Sequence, residues 1–420
     1  MTPAPPWLML AFPLLIAAET ATRLWLATRQ ISAVSAHRDR VPAMFAGHIE
    51  LAEQQKAADY TVARMRLTRV ATVAEAALKL VFTVGGGIAA LAAAAFASGW
   101  PEPWRGLALL AAVFLVAQLF GLPFALHRIF RLESRFGFNR TSPRLFAADF
   151  FKQLLLAALL GGPLALATLL LMERGGRWWW LWAWGVLQIA SVGLAWAAPR
   201  FIAPLFNRFA PLTDATLAAR VQALLERCGY TARGGVFVMD GSRRSAHGNA
   251  YFTGIGSNKR IVFLDTLLAR VDADEIEAVL AHELGHFRLR HVRDRLFWSM
   301  GVMLVGLALL AALAREPLFY AALGVSEPSP AAALLLFSFA VPVLSYFVTP
   351  LGAWWSRRQE LAADDFAAAH ADAQKLGSAL VKLYRDNAST LTPDPLHSAF
   401  YDSHPPATQR ISRLRALAAR

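Results

Sequence analysis

Glu277-Ala278-Val279-Leu280-Ala281-His282-Glu283-Leu284-Gly285-His286 is the stretch on which the reading of this chain turns. Its spacing predicts an α-helix. Four residues carry a helix about 400° around its axis, so His282 and His286 face the same way and can share one cation. Glu283 borders that face without lying on it. A carboxylate so placed suits removal of a proton from metal-activated water rather than ligation. This is the H-E-x-x-H spacing of zinc hydrolases; the plainer account is a solvated helix face with two unrelated histidines.

Catalytic zinc usually takes three protein groups and leaves a fourth position open, so a third ligand is needed. The extension H-E-x-x-H-x-x-G-x-x-H is broken, with Leu289 and Val292 where it requires glycine and histidine. His291, five residues past His286, is expected on another face of the helix. A glutamate from a separate helix is the other route, and Ser356-Arg357-Arg358-Gln359-Glu360-Leu361-Ala362-Ala363-Asp364-Asp365 offers one. Glu360 and Asp364 are again i and i+4, so Glu360 is expected on the metal and Asp364 as acceptor for a ligand histidine's remaining N–H. An ordinary surface glutamate among arginines is the competing account of Glu360.

With 420 residues and 56% hydrophobic content, and a mean hydropathy of +0.40, the chain is too apolar for a soluble enzyme. A polytopic membrane protein with a soluble portion is expected. The single cysteine, Cys228, excludes an internal disulfide framework and a cysteine-built zinc site, and is expected to be a buried packing thiol. The formal charge of +13 gathers in loops beside apolar stretches; this points to membrane orientation, and no nucleic acid partner is expected. No G-x-x-x-x-G-K-[ST] phosphate loop occurs, so no ATP is expected. Met1 to Pro6 forms no positive n-region and no small-residue cleavage signature follows, so the first apolar stretch is read as retained.

Seven stretches are long enough to cross about 30 Å of hydrocarbon: Trp7 to Ala27, Val70 to Phe96, Gly106 to Leu126, Phe151 to Leu171, Trp178 to Ala198, Phe297 to Leu313 and Ala331 to Trp354. Basic residues crowd the loops after the first and third, from Arg29 to Arg69 and from Arg128 to Lys152, and thin out in the alternate loops. The positive-inside rule then puts the N-terminus outside and the C-terminus in the cytosol. Trp100, Trp104 and Trp178 to Trp180 fall at the outer ends, as an interfacial aromatic belt would. Glu19, Glu75 and Lys79 lie inside spans, where either a helix-to-helix ion pair or a water-filled interior accounts for them.

The chain divides accordingly into 1–198 (spans one to five), 199–296 (a cytosolic α+β part with the histidine helix), 297–354 (spans six and seven) and 355–420 (a cytosolic part completing the site). In the second segment Leu217 to Arg227 reads as a helix, and Val236 to Met239, Asn249 to Phe252 and Ile261 to Leu264 as strands. Asp274, with Glu277 three residues on, reads as a capping box for the histidine helix. Counting about 1.5 Å per helical residue, both metal-bearing helices are extensions of spans six and seven, which sets the cation near the cytosolic membrane surface.

Several stretches together resemble the Ste24 or CAAX prenyl protease group of the M48 metallopeptidases. They are Glu133-Ser134-Arg135-Phe136-Gly137-Phe138-Asn139 with Asp149 and Lys152, Ala203-Pro204-Leu205-Phe206-Asn207, Asn249-Ala250-Tyr251-Phe252, and Lys259-Arg260-Ile261-Val262 with Asp265 to Leu268. His282 to His286, Ser356 to Asp364, and Ser403-His404-Pro405-Pro406 with Arg410 complete the set. The resemblance implies a mainly α fold of seven transmembrane helices around an intramembrane chamber, with a small cytosolic α+β, gluzincin-like zinc metallopeptidase domain. It implies one zinc on His282, His286 and Glu360, catalysis by Glu283 and His404, and Asp364 behind the ligands. It further implies peptide binding at Asn249 and Ala250, with Arg410 helping to position substrate.

The expected activity is that of an integral-membrane zinc endopeptidase acting on a peptide or protein, lipidated or embedded in the bilayer, with the native substrate left open. A membrane-protein quality-control protease of the same chemistry is one alternative; a transporter or scaffold with a non-catalytic zinc site is another. Richness in Ala, Leu and Arg points to a GC-rich bacterium, hence to the bacterial inner membrane rather than the endoplasmic reticulum.

Overall fold

The computed structural model describes residues 6–230, 235–254 and 260–419; residues 1–5 and the matching position Lys259 lie outside them. Among the described residues six helices are long and apolar enough to cross a bilayer: Met9–Ala36, Trp104–Glu133, Pro143–Arg174, Gly176–Phe206, His291–Leu313 and Pro330–His370. A seventh is reached by counting the pair Leu51–Phe82 and Gly87–Ala97, bent by 50°, as one. The sequence predicts an unbroken span here. Three consecutive glycines, Gly85 to Gly87, weaken the helix at that point, and Gly86 takes a left-handed φ of +78°. The bend is occupied from across the bundle, because a Cβ on Gly324 would stand 2.5 Å from the Thr83 carbonyl oxygen.

Charges within the spans pair with one another. Lys79 Nζ lies 2.9 Å from Glu19, and Arg23 reaches Glu75 at 3.1 Å and Glu19 at 3.5 Å. Ion pairs between the first two helices therefore account for Glu19, Glu75 and Lys79. The sixth span, short in the sequence, gains length by starting at His291. The seventh runs on through a 3-10 turn at Tyr346–Val348 into the helix Thr349–His370.

The α+β unit is a four-stranded sheet of β1 (Phe209–Pro211), β2 (Val236–Met239), β3 (Ala250–Thr253) and β4 (Arg260–Leu264), in the order β1-β2-β4-β3. β2 and β4 are parallel, and the outer pairs antiparallel. β4 sits inside the sheet because Ile261, Val262 and Phe263 are apolar on both faces, and all three are buried. β1 is absent from the sequence reading: three residues are too few to show a period, and its proline is tolerated only at an edge. Leu224 and Leu225 of the helix Ala215–Arg227 share one core with Ile276, Leu280 and Leu284 of the helix Ala273–Arg288, and Cys228 is buried among them.

The histidine helix begins two residues earlier than its sequence reading. Asp272, not Asp274, is the N-cap: its carboxylate accepts from Glu275 N at 2.8 Å, and Glu275 Oε2 accepts from Asp272 N at 2.9 Å. Both Asp272/Glu275 and Asp274/Glu277 have capping-box spacing, so the sequence leaves the register open. Tertiary contacts settle it. Glu275 is buried against Ser378 (2.7 Å) and Lys382 (2.7 Å), while Asp274 and Glu277 pair with Arg220 and Arg227 of the neighbouring helix. Asp272→Ala should therefore lower stability by about 1 kcal/mol, read as an earlier thermal unfolding midpoint in detergent, and Asp274→Ala should lower it less.

Candidate metal centre

The helix Ala273–Arg288 crosses the helix Thr349–His370 at Gly285. A Cβ there would stand 3.1 Å from Ala363 Cα, 3.2 Å from Ala363 O and 3.2 Å from Phe366 Cβ, so glycine accommodates this approach without displacing its neighbours by a few tenths of an ångström. The approach brings Glu360 onto the histidine face. His282 Nε2 and His286 Nε2 are 3.3 Å apart, Glu360 Oε1 is 3.2 Å from His286 Nε2, and Glu360 Oε2 is 3.5 Å from His282 Nε2. These spacings match the ion the sequence implies: two nitrogens about 2.0–2.1 Å from one tetrahedral centre stand roughly 3.3–3.4 Å apart. Among the described residues, no fourth histidine, cysteine or carboxylate joins the cluster.

Each donor is held from behind. Asp364, fully buried, accepts from His282 Nδ1 at 2.9 Å. Arg410 grips the same carboxylate with Nε and Nη2 at 2.8 and 2.7 Å. Burial opposes the charge of Arg410, yet the hydrogen bonds and charge of Asp364 outweigh it and hold the guanidinium above its ordinary range. His404, with its side chain 60% exposed, places Nδ1 2.6 Å from Glu360 Oε2. His291 differs from its sequence reading. It lies on His286, Nδ1 to Nδ1 at 3.0 Å, because the helix stops at Arg288 and a new one starts at His291. No motif marks that break, so only the chain's path reveals the contact.

A cleft of about 460 Å³ opens onto this cluster, lined by Asn249, Ala250, Glu283, Tyr384, His404 and Arg410 among others. Burial pushes the Glu283 carboxyl above the usual carboxylate range, against the pull of the two imidazoles. Ala250 opens β3, which is an edge strand among the described residues. The remaining matching stretches meet each other rather than the cluster. Arg244 binds Asp149 at 2.8 Å and Asn207 at 2.9 Å, and Lys152 donates to the Leu205 carbonyl at 2.7 Å. Tyr60 donates to Glu133 at 2.7 Å, and His247 stacks on Phe138. The Arg244–Asp149 and His247–Phe138 contacts tie the α+β unit to the membrane helices.

Two family models cover the chain. Residues 30–208 match the CAAX prenyl protease N-terminal region of five membrane helices, and residues 211–418 match peptidase family M48. The chain is 34% identical to the CAAX prenyl protease 1 homolog of Oryza sativa subsp. japonica over 73% of its length and 72% of the relative's. The chain belongs to the Ste24 group of the M48 metallopeptidases. Against the probable CAAX prenyl protease 1 of Schizosaccharomyces pombe it is 29% identical, covering 93% of this chain and 85% of that one. The crystal structure of S. mikatae Ste24p superposes with a TM-score of 0.90 at 28% identity, over 99% of this chain and all of the other. The M48 protein is thus a zinc metalloprotease of the membrane, mainly helical, with six to seven membrane-length helices among the described residues and a small sheet.

Gly285→Ala offers a direct check on the helix crossing. In a free helix this change stabilises by about 0.5–1 kcal/mol; here the added methyl must push Ala363 and Phe366 away. The variant should unfold earlier than the parent and bind zinc more weakly, measured by thermal unfolding and by competition with a chelator.

Proposed function

We propose that this M48 protein hydrolyses peptide bonds of membrane-associated substrates with one zinc per chain, held by His282, His286 and Glu360. The supporting observation is the tetrahedral spacing of those three donors beside Glu283 in an open cleft. When bound, zinc polarises the scissile carbonyl and lowers the pKa of water to near neutrality. Glu283 takes the proton of the attacking water and returns it to the leaving amine; burial, by raising its proton affinity, favours the uptake. Asp364 fixes the orientation of His282, and Arg410 fixes Asp364. His404 donates from Nδ1 to Glu360, and with a proton on both ring nitrogens it donates from Nε2 to the developing oxyanion. The substrate lies extended along Asn249 and Ala250 at the sheet edge, where backbone pairing tolerates varied sequences.

In this reading 199–296 and 355–420 form the hydrolytic unit, and 1–198 and 297–354 its membrane frame. The substrate is lipidated or bilayer-embedded. Two features favour this: Glu360 stands on the extension of a span, and the similar proteins are CAAX prenyl proteases. The distribution of Arg and Lys favours an outside N-terminus and a cytosolic C-terminus, and the composition favours a bacterial inner membrane. A structural zinc in a scaffold is disfavoured, because such sites are usually closed by four protein ligands and this cluster has three among the described residues.

Glu283→Gln should keep zinc and fold while lowering turnover of a labelled peptide by about 10²–10⁴-fold; retained turnover in the metal-replete variant would refute the assignment. Glu360→Ala should lose zinc and activity together. Substrates captured on Glu283→Gln in native membranes decide between lipidated-tail processing and general clearance of membrane proteins.

A further inference from the structure

The histidine helix does not run into the sixth span. Leu289 N still bonds to Gly285 O at 3.0 Å and Arg290 N to Phe287 O at 3.1 Å, but Arg290 then turns left-handed with φ 61° and ψ 23°. Among the described residues only one other non-glycine, Ala388, has positive φ. A side-chain-bearing residue is disfavoured in that region, so the turn persists because its surroundings impose it. Its consequence is the position of His291. In an unbroken helix five residues turn the chain roughly 140° beyond a full circle, which would carry His291 away from His286. With the left-handed residue between them, the two rings lie 5.2 Å apart and the Nδ1 atoms 3.0 Å apart, with His291 buried.

One of those two nitrogens must donate and the other accept. His286 turns Nε2 toward Glu360 and His282, so an ion held there takes the Nε2 lone pair and leaves the proton on Nδ1. His291 Nδ1 is then the acceptor, with its own proton on Nε2. We propose that His291 is the positioning residue of the second ligand: it fixes the tautomer and ring plane of His286 as Asp364 fixes those of His282. The inference rests on the metal-centre reading above. The two acceptors differ in charge. Asp364 is an anion balanced by Arg410, whereas His291 holds His286 without adding negative charge that would weaken the ion's pull on electrons. Because His291 is also the first residue of the sixth span, the ligand is anchored to a membrane helix.

The test measures zinc affinity by chelator competition on the full-length protein in detergent, together with peptide turnover and zinc-free thermal unfolding. His291→Leu removes the acceptor and should weaken zinc about 10- to 100-fold. His291→Asn, whose Oδ1 can occupy nearly the place of Nδ1, should return affinity to within a few-fold of the parent. Arg290→Gly, which relieves the left-handed residue without touching His291, should leave zinc affinity unchanged and raise the zinc-free unfolding midpoint. Parental affinity in His291→Leu overturns the proposal. So does equal weakening in His291→Leu and His291→Asn, since His291 then serves only to fill space. His282→Ala separates the two levels: if it binds zinc as tightly as the parent, the metal-centre reading fails, and this inference with it.

Discussion

Two helices from distant parts of the chain pack against each other with a glycine at their close crossing, and the candidate site depends on that approach. With no Cβ on Gly285, the backbone at Ala363 comes within van der Waals range, one turn away from His282 and from Glu360. The imidazole pair lies on one helix and the carboxylate on the other, so an added methyl group between them would change the size of the site. Zinc coordination tolerates only a few tenths of an ångström in ligand distance. Side-chain flexibility takes up little of such an error, because Glu360, His282 and His286 are each already bonded to a second group.

Those second groups come from the Glu360 helix itself, the tail and the sixth span, so the site is closed by the whole fold. Asp364 is an anion with no exposed surface, a position tenable only because Arg410 and His282 satisfy its oxygens. Removing either would leave a buried charge without a partner. His404 reaches Glu360 from the loop before the last helix. The proposed catalytic region therefore forms only when residues 282, 364 and 404–410 have folded together.

The unit is fastened to the membrane helices in two ways. The helices carrying His282, His286 and Glu360 lead into apolar spans, one through the turn at Arg290 and the other through the 3-10 turn at Tyr346–Val348. Arg244, bonded to both Asp149 and Asn207, adds a lateral tie. Attachment of the cleft to apolar helices is the physical basis for the membrane-held substrate class proposed.

Whatever depends on local periodicity was legible in the sequence. The i, i+4 histidines, the i, i+4 acids Glu360 and Asp364, the apolar runs and the three main strands follow from 3.6- and 2-residue repeats and from the length needed to cross hydrocarbon. Family likeness added His404 and Arg410, which no spacing connects to the histidine helix. Tertiary structure alone decided the rest: the cap at Asp272 rather than Asp274, the bend at Gly85 to Gly87, the short β1, and the return of His291 onto His286. In each case local rules allow more than one outcome. The choice is made by a partner far along the chain, such as Lys382 for the cap or Gly324 for the bend, whose position a local repeat cannot encode.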